Sequence, residues 1–278
     1  MEELLFCCPL CGAPLAREDH AVRCPRGHSF DLARQGYVHL LPPSQMHAKV
    51  PGDSKEMVDS RRRFLEAGYY APFRQALGEL ARSCAGELGA FEGQGLVLCD
   101  AGCGEGYYTA ALLESLPQGQ VCAFDISKLA VKAAAGRHKG IEFAVASSFH
   151  IPLPTGRADL LTNVFSPLAE AEFARVVKPG GFFLYAVPCP RHLYGLKEIL
   201  YDAPYENPCR DTEYPGFRFA RRVPVRGTIT LPDSGAARDL FAMTPYYWKT
   251  GREGVRRLEE AGSFQTEIGF DFLLYRRT

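Results

Sequence analysis

The stretch "LVLCDAGCGEGYYT", residues 96–109, constrains the fold of this chain more than any other. An apolar run ends in Asp100, a turn follows with glycines at 102, 104 and 106, and a helix-forming segment begins. Buried strand, glycine turn and helix start make the opening unit of an open α/β sheet, and the glycines let a ligand approach the backbone closely. A second apolar stretch over 121–125 ends in another acid, Asp125. An acid at the tip of the second strand is placed to hold both hydroxyls of a ribose. The site would then lie at the carboxyl ends of the strands, where open α/β sheets bind ligands.

The alternation continues along the chain. Strands are predicted over 96–100, 121–125, 142–145, 159–164 and 182–187, with helical stretches between most of them, which is the pattern of a doubly wound parallel sheet. Upstream, "PGDSKEMVDSRRRFLEAGYYAPF" predicts a helix capped at Asp53 or Ser54 and broken at Gly68. A second helix starts at Pro72, with apolar residues at 73, 76, 77, 80, 81 and 84. Downstream, "VPVRGTIT" reads as a strand, helices are predicted around 234–242 and 252–261, and a last strand near 264–275. There is no internal repeat.

A different chemistry stands near the start, in "CCPLCGAPLAREDHAVRCPRGH", residues 7–28. Cys8 and Cys11 are separated by two residues, and Cys24 and His28 by three, the spacing of two turns that close a tetrahedron around zinc. Between them lies a hairpin with a polar turn at Glu18 and Asp19. So short a segment has too little core to fold unaided, and one structural Zn2+ per chain supplies what is missing. Cys7 would leave a longer gap to Cys11 than a knuckle uses, and His20 belongs to the hairpin turn. The Pro-rich stretch that ends at Ser44 predicts a boundary, with a zinc-binding module over 1–44 and the α/β domain over 45–278.

Composition narrows the setting. No apolar run reaches the roughly 18 residues of a membrane helix, and the start "MEELLF" is acidic where a signal peptide is basic. A cytoplasmic location, reduced thiols and no membrane partner are the expectation. With 32 Lys and Arg against 32 Asp and Glu, any nucleic-acid binding relies on local patches.

The Asp-x-Gly-x-Gly-x-Gly form resembles motif I of class I S-adenosylmethionine (SAM)-dependent methyltransferases. "FDIS" resembles their second acidic motif, "ASSFHIPLP" (146–154) the segment that flanks the adenine, and "ARVVKPGGFFLYAVP" the motif before the fifth strand. The zinc segment, "PGDSKEM", "RRRFLEAGYY", "DAGCGEGYYT", "ASSFHIPLP", "RVVKPGG", "PRHLYGLK" and "MTP" occur in this order. That ordered set resembles the RlmA family of 23S ribosomal RNA guanine-N1 methyltransferases, which includes a tylosin-resistance branch. The resemblance implies a Rossmann-like doubly wound sheet with a small N-terminal zinc-binding module. It also implies SAM as cofactor and a 23S rRNA hairpin loop as partner, and it leaves room for a homodimer. Its structural zinc would fall on Cys8, Cys11, Cys24 and His28. Its cofactor contacts would fall on Tyr70, Glu105, Gly106 and His192, beside Asp100, Gly102, Gly104, Asp125 and Ser148.

Guanine N1 carries a proton at neutral pH and lies on the Watson–Crick edge, so the base must be unpaired and deprotonated. The residues do not single out a base. Asn163 and Pro167 in "TNVFSPL" are offset from the Asn/Asp-Pro-Pro-Tyr/Phe motif of base methyltransferases, and an amide accepts no proton at neutral pH. His192 is of a type that can titrate near pH 7, but the resemblance gives it a cofactor contact. Phe165 can stack on guanine or serve as a core aromatic, and the sequence leaves both open. Arg61, Arg62 and Arg63 form one candidate phosphate grip; Arg221 and Arg222, with Arg218, Arg226, Tyr214, Phe217 and Phe219 nearby, form another. Two other readings stand beside this one: a methyltransferase for a small metabolite, which gives no reason for the zinc segment, and a non-catalytic zinc-binding RNA adaptor, which gives none for the intact acids and glycines.

Overall fold

The computed structural model describes residues 3–46, 51–208 and 213–278. The N-terminal segment forms a four-stranded antiparallel sheet of β1 (Glu3–Cys7), β2 (Pro14–Glu18), β3 (Ala21–Arg23) and β4 (Ser29–Asp31), in that order. Asp19, at φ +48, turns the chain between β2 and β3, and aspartate tolerates that conformation better than most residues.

The rest is one sheet with helices on both faces. Its strands are β5 (Val38–His39), β6 (Val97–Ala101), β7 (Gln120–Asp125), β8 (Ile141–Val145), β9 (Ala158–Val164), β10 (Val177–Pro188), β11 (Phe217–Leu231) and β12 (Phe264–Arg277). They lie in the order β11-β12-β10-β9-β6-β7-β8-β5. All neighbours from β5 to β10 pair in parallel, and β12 pairs antiparallel with both β10 and β11, so β12 alone is reversed. The helices are α1 (Lys55–Glu66), α2 (Ala71–Glu87), α3 (Tyr107–Ser115), α4 (Lys128–Arg137), α5 (Glu170–Val176), α6 (Tyr194–Leu200), α7 (Ser234–Ala242) and α8 (Arg252–Glu260). Among the described residues, no helix is long and apolar enough to cross a membrane.

The two-residue period of the strands sorts the core. Leu98, Leu160, Leu184 and Phe272 join one cluster with α2, while Val97, Cys99, Leu161, Phe183 and Leu273 join the cluster on the other face. Leu4, Leu5 and Phe6 of β1 belong to that second cluster. The Leu5 amide donates to Glu142 Oε2 at 2.9 Å, and the Cys7 amide to Pro152 O at 2.8 Å. Val38 and His39 already pair with Ala144 and Val145. The expected boundary at residue 44 therefore lies beyond the point where the chain enters the large sheet, and the metal module shares a core with the sheet that it precedes.

The order of strands fixes where a ligand goes. From β6 the chain winds outward through β7 and β8, then returns to place β9 on the other side of β6. The loops after β6 and β9 diverge at this reversal and leave a crevice, the place where open α/β sheets bind ligands.

Candidate active site and metal centre

Two tight turns build the metal centre. The Cys11 and Gly12 amides donate to Cys8 O at 3.3 and 2.8 Å, and the Gly27 amide to Cys24 O at 3.0 Å. Gly12 and Gly27 take φ +71 and +83, which glycine adopts at no steric cost. The ligand atoms of Cys8, Cys11, Cys24 and His28 all lie within 4.8 Å of one another. His28 Nδ1 is 3.5 Å from Cys8 Sγ and 3.4 Å from Cys24 Sγ, and the sulfurs of Cys11 and Cys24 are 3.7 Å apart. A zinc tetrahedron with sulfur at ~2.3 Å and nitrogen at ~2.0–2.1 Å has edges of roughly 3.5–3.8 Å. Three thiolates and an imidazole at this spacing fit zinc, with no position left for a substrate. Cys7 is buried outside this set, and His20 is exposed on the hairpin turn.

The crevice at the strand reversal opens into a cavity of about 790 Å³, within the range of small-molecule sites. Tyr70, Asp100, Gly102, Gly104, Glu105, Asp125, Ser148 and His192 all line it, as do Arg61 and Phe165. No described residue of 3–46 does. Gly106, expected beside them, stands behind the wall: it caps α3 at φ +87, and a Cβ there would meet His138 Cδ2 at 2.8 Å. Glu105 is buried, with its carboxylate accepting from Arg137 Nη1 at 3.0 Å.

Asp100 is spent on structure. Its two oxygens accept from Thr109 Oγ1 at 2.6 Å and Thr162 Oγ1 at 2.7 Å, which ties the tip of β6 to α3 and β9. Burial pushes its carboxyl up to about 6, against the pull of the two hydroxyls. Asp125 is better placed for a ligand. One oxygen accepts from the Gly104 amide at 3.0 Å and the other from the Ser127 amide at 2.8 Å. A carboxylate has about four acceptor positions, so two remain for ribose hydroxyls. Around Gly104, a Cβ would meet only Arg61 Nη1, at 3.6 Å, so the loop backbone is open to a ligand at that point. Tyr108, which the motifs did not single out, lines the cavity with its hydroxyl buried and without a hydrogen-bond partner among the described residues. Acid, open glycine backbone and an unpaired hydroxyl in one cavity fit a nucleoside cofactor such as SAM.

Across the cavity, His192 departs from the usual histidine titration near pH 7. Burial, reinforced by Lys197 and Arg226, pushes its imidazole down to about 3. Nδ1 accepts from the Gly269 amide at 3.1 Å, so the proton of the neutral ring sits on Nε2, 3.4 Å from the Tyr70 hydroxyl. At neutral pH His192 is a fixed donor and not a base. Phe165 stands beside it, half exposed, with ring centroids 5.9 Å apart and planes 23° from parallel. Its φ of +54 is an outlier for so bulky a residue, strain of the kind that collects at ligand sites. Asn163 is buried under the same loop, its amide donating to Ala101 O and Pro167 O at 3.3 Å.

Most members of the two arginine clusters turn to carboxylates of the chain itself. Consecutive residues on a helix point about 100° apart, and each member of α1 finds a different partner. Arg61 pairs with Asp53 beside the cavity, Arg62 lies 3.8 Å from Asp59, and Arg63 grips Asp239 of α7 at 2.6 and 2.8 Å. On β11, successive side chains take opposite faces. Arg221 donates to Glu87 and Ser83 on α2, whereas Arg222 and Arg226 turn to Asp271. Tyr214 and Phe217 are core residues, and only Phe219 of that aromatic group is exposed.

Comparison with known proteins agrees with this geometry. The family model described as "RlmA, N-terminal" matches residues 6–49, and a methyltransferase-domain model matches 98–181. The chain is 35% identical over 276 residues to the 23S rRNA (guanine(748)-N(1))-methyltransferase of Streptomyces fradiae, which covers 97% of this chain and 95% of that one. It is 40% identical over 205 residues to a protein of Micromonospora griseorubida named as a 23S rRNA (guanine-N(1)-)-methyltransferase, covering 69% and 68% of the two chains. A protein of the same name in Bacillus subtilis is 30% identical over 281 residues, covering 97% and 96%.

Two outcomes follow from the geometry. Metal analysis of the purified chain should find one zinc; Cys24→Ser should lose it and melt at lower temperature, because β1 shares the core of the large sheet, while Cys7→Ser should keep it. Full zinc occupancy in Cys24→Ser would contradict the ligand set. For Asp100, whose carboxyl moves from 3.8 to about 6 on folding, the native state binds the proton more tightly than the unfolded chain. That contribution to stability is fully present below about pH 4 and is lost as pH rises through about 6. Urea unfolding from pH 4 to 7 should therefore show Asp100→Asn gaining on the parent by up to about 3 kcal/mol, at ~1.4 kcal/mol for each tenfold difference in proton affinity. A difference that stays flat with pH would place Asp100 in the ordinary carboxylate range.

Proposed function

The chain belongs to the RlmA family of 23S rRNA (guanine-N1)-methyltransferases, and from that premise we propose how its own residues carry out the reaction. Its reaction is the methylation of guanine N1 in 23S rRNA, with SAM as the methyl donor. The observation that carries this reading is the cavity at the strand reversal. The acid and glycine loop stand on its β7 side, and an exposed aromatic with a fixed donor stands on its β9 side. We infer that the target lies in a hairpin loop, where extruding an unpaired base is cheap.

SAM, when bound, supplies an electrophilic methyl group, and the rest is positioning. Asp125 and the Gly102–Gly104 backbone hold its nucleoside, with Glu105 and Ser148 on the same side and Tyr70 and His192 across the cavity toward the methyl end. Phe165 receives the guanine ring by stacking. His192, its Nδ1 held by the Gly269 amide and its Nε2–H turned to the Tyr70 hydroxyl, keeps that wall neutral and takes no proton from guanine, so the N1 proton passes to solvent. The zinc module, whose own sheet ends with β4 at Asp31, serves RNA recognition beside the methyltransferase sheet that the chain enters at β5; the exposed Leu10, between two metal ligands, supports that reading. The cytoplasm, where rRNA is made, is the matching compartment.

The test is nucleoside analysis of 23S rRNA treated with the chain and SAM. One N1-methylguanosine per rRNA is expected, while a methylated small metabolite in its place would overturn the reading. In the same assay Asp125→Ala should weaken SAM binding by about 1.5–3 kcal/mol, the scale of a hydrogen bond to a charged group, and calorimetry reads it directly. Arg63→Ala and Arg221→Ala, whose guanidinium groups are committed to Asp239 and Glu87, should leave the slope of log affinity against log salt for rRNA unchanged. Removing a true phosphate contact reduces that slope by about 0.7–0.9.

A further inference from the structure

A large methyltransferase substrate needs more than a pocket for one base, and four exposed rings line this cavity, Phe149, Phe165, Tyr205 and Trp248, beside the exposed Lys249. Trp248 is 72% exposed and Tyr205 48% exposed, and both line the cavity that Phe165 and Tyr185 line. Burying such rings in a partner is favourable, and leaving them in water is costly unless they have a use. Phe149, the other exposed ring at the cavity, follows Ser147 and Ser148 after β8 and so belongs to the cofactor side.

The two rings are held in place. Trp248 ends a short 3-10 turn, Pro245–Trp248, whose start is capped by Thr244: its hydroxyl accepts from the Tyr246 amide at 3.3 Å and donates to Phe241 O at 2.9 Å. The Tyr247 ring meets Trp248 edge-on with centroids 5.0 Å apart. Tyr205 is anchored by Lys197, a fully buried lysine on α6. The Lys197 ammonium donates to Tyr205 O and Asn207 Oδ1, both at 2.8 Å, and sits 4.3 Å from the Tyr205 ring centroid and 5.5 Å from that of Tyr246. One buried cation thus ties the segment bearing Tyr205 to the turn bearing Trp248. Both segments lie outside residues 6–49 and 98–181, which the two family models match.

We propose that Trp248 and Tyr205 form a stacking lip for the unpaired RNA bases that flank the target guanine. The inference rests on the reading of the chain as an rRNA methyltransferase and adds the way in which the loop is gripped: by base faces more than by phosphate charge. That mode suits a chain with zero net charge whose Arg61, Arg63, Arg221 and Arg226 are bound to its own carboxylates. Stacking tolerates any base, because every base has a π-face.

Trp248 is the single tryptophan of the chain, so its fluorescence reports on the lip directly. The test uses the full zinc-loaded chain and a 23S rRNA hairpin transcript. The transcript should quench the emission saturably. Trp248→Ala should weaken transcript affinity roughly 5- to 150-fold, which corresponds to a stacked base at about 1–3 kcal/mol. Salt slope, SAM affinity and melting temperature should match the parent, and Trp248→Phe should recover most of the loss. Tyr205→Ala should weaken binding in the same way while the Trp248 emission still reports it. Unchanged emission on adding transcript, or parental affinity in Trp248→Ala, would overturn the lip. So would an emission change that follows protein concentration alone, since a second copy would then cover this surface. Nucleoside analysis of the same reactions shows separately whether the chain methylates rRNA, so failure of the lip is distinguishable from failure of the functional reading.

Discussion

The site depends on one buried carboxylate. Asp100 is 2% exposed, at the tip of the central strand of the sheet, and each of its oxygens is held by a threonine hydroxyl from a different element. Burying a carboxylate is expensive unless its hydrogen bonds are made, so loss of either hydroxyl leaves a charge without compensation. The bond to Thr109 sets the start of α3, and with it the glycine loop. The bond to Thr162 sets β9, and with it the loop that carries Phe165. The two loops also interlock, because a Cβ on Gly102 would meet Ser166 Oγ at 1.9 Å. Both walls of the cavity are therefore referred to the same strand tip, and a shift of one carries the other.

From that arrangement the chemistry divides by side. Where β7 and β8 end, the cavity offers the free acceptor positions of Asp125 and the open backbone at Gly104. Where β9 and β10 end, rings predominate, and the one imidazole is kept neutral by burial. A neutral histidine can donate a hydrogen bond without taking up a proton. Two arginines of the clusters are held in internal ion pairs: Arg63 with Asp239 joins α1 to α7, and Arg221 with Glu87 joins β11 to α2. These arginines brace the helices around the sheet, and base stacking is what the exposed surface offers.

Much of this was legible from the residues. The strands are apolar runs ended by acids or glycines, and the predicted segments over 121–125, 159–164 and 264–275 correspond to β7, β9 and β12. Of the two candidate caps of α1, Ser54 accepts from the Met57 amide at 3.3 Å, while Asp53 pairs with Arg61. The zinc ligands were legible because their spacing is local. What escaped is long-range. Arg63 meets Asp239 across 176 positions, and Lys197 organises Tyr205 and Tyr246 from a helix of its own. Val38 and His39 make too short a strand to carry a period, yet pair beside β8. The titration of His192 depends on burial that no motif encodes.

The most direct measurement is a crystal structure of the zinc-loaded chain with S-adenosylhomocysteine and a short 23S rRNA loop. The expected complex has the ribose hydroxyls on Asp125, the sulfur directed toward the β9 side, and a flipped guanine against Phe165 with its N1 edge facing that sulfur. A nucleoside bound away from Asp125, or a guanine seated outside the cavity, would contradict this arrangement of the site.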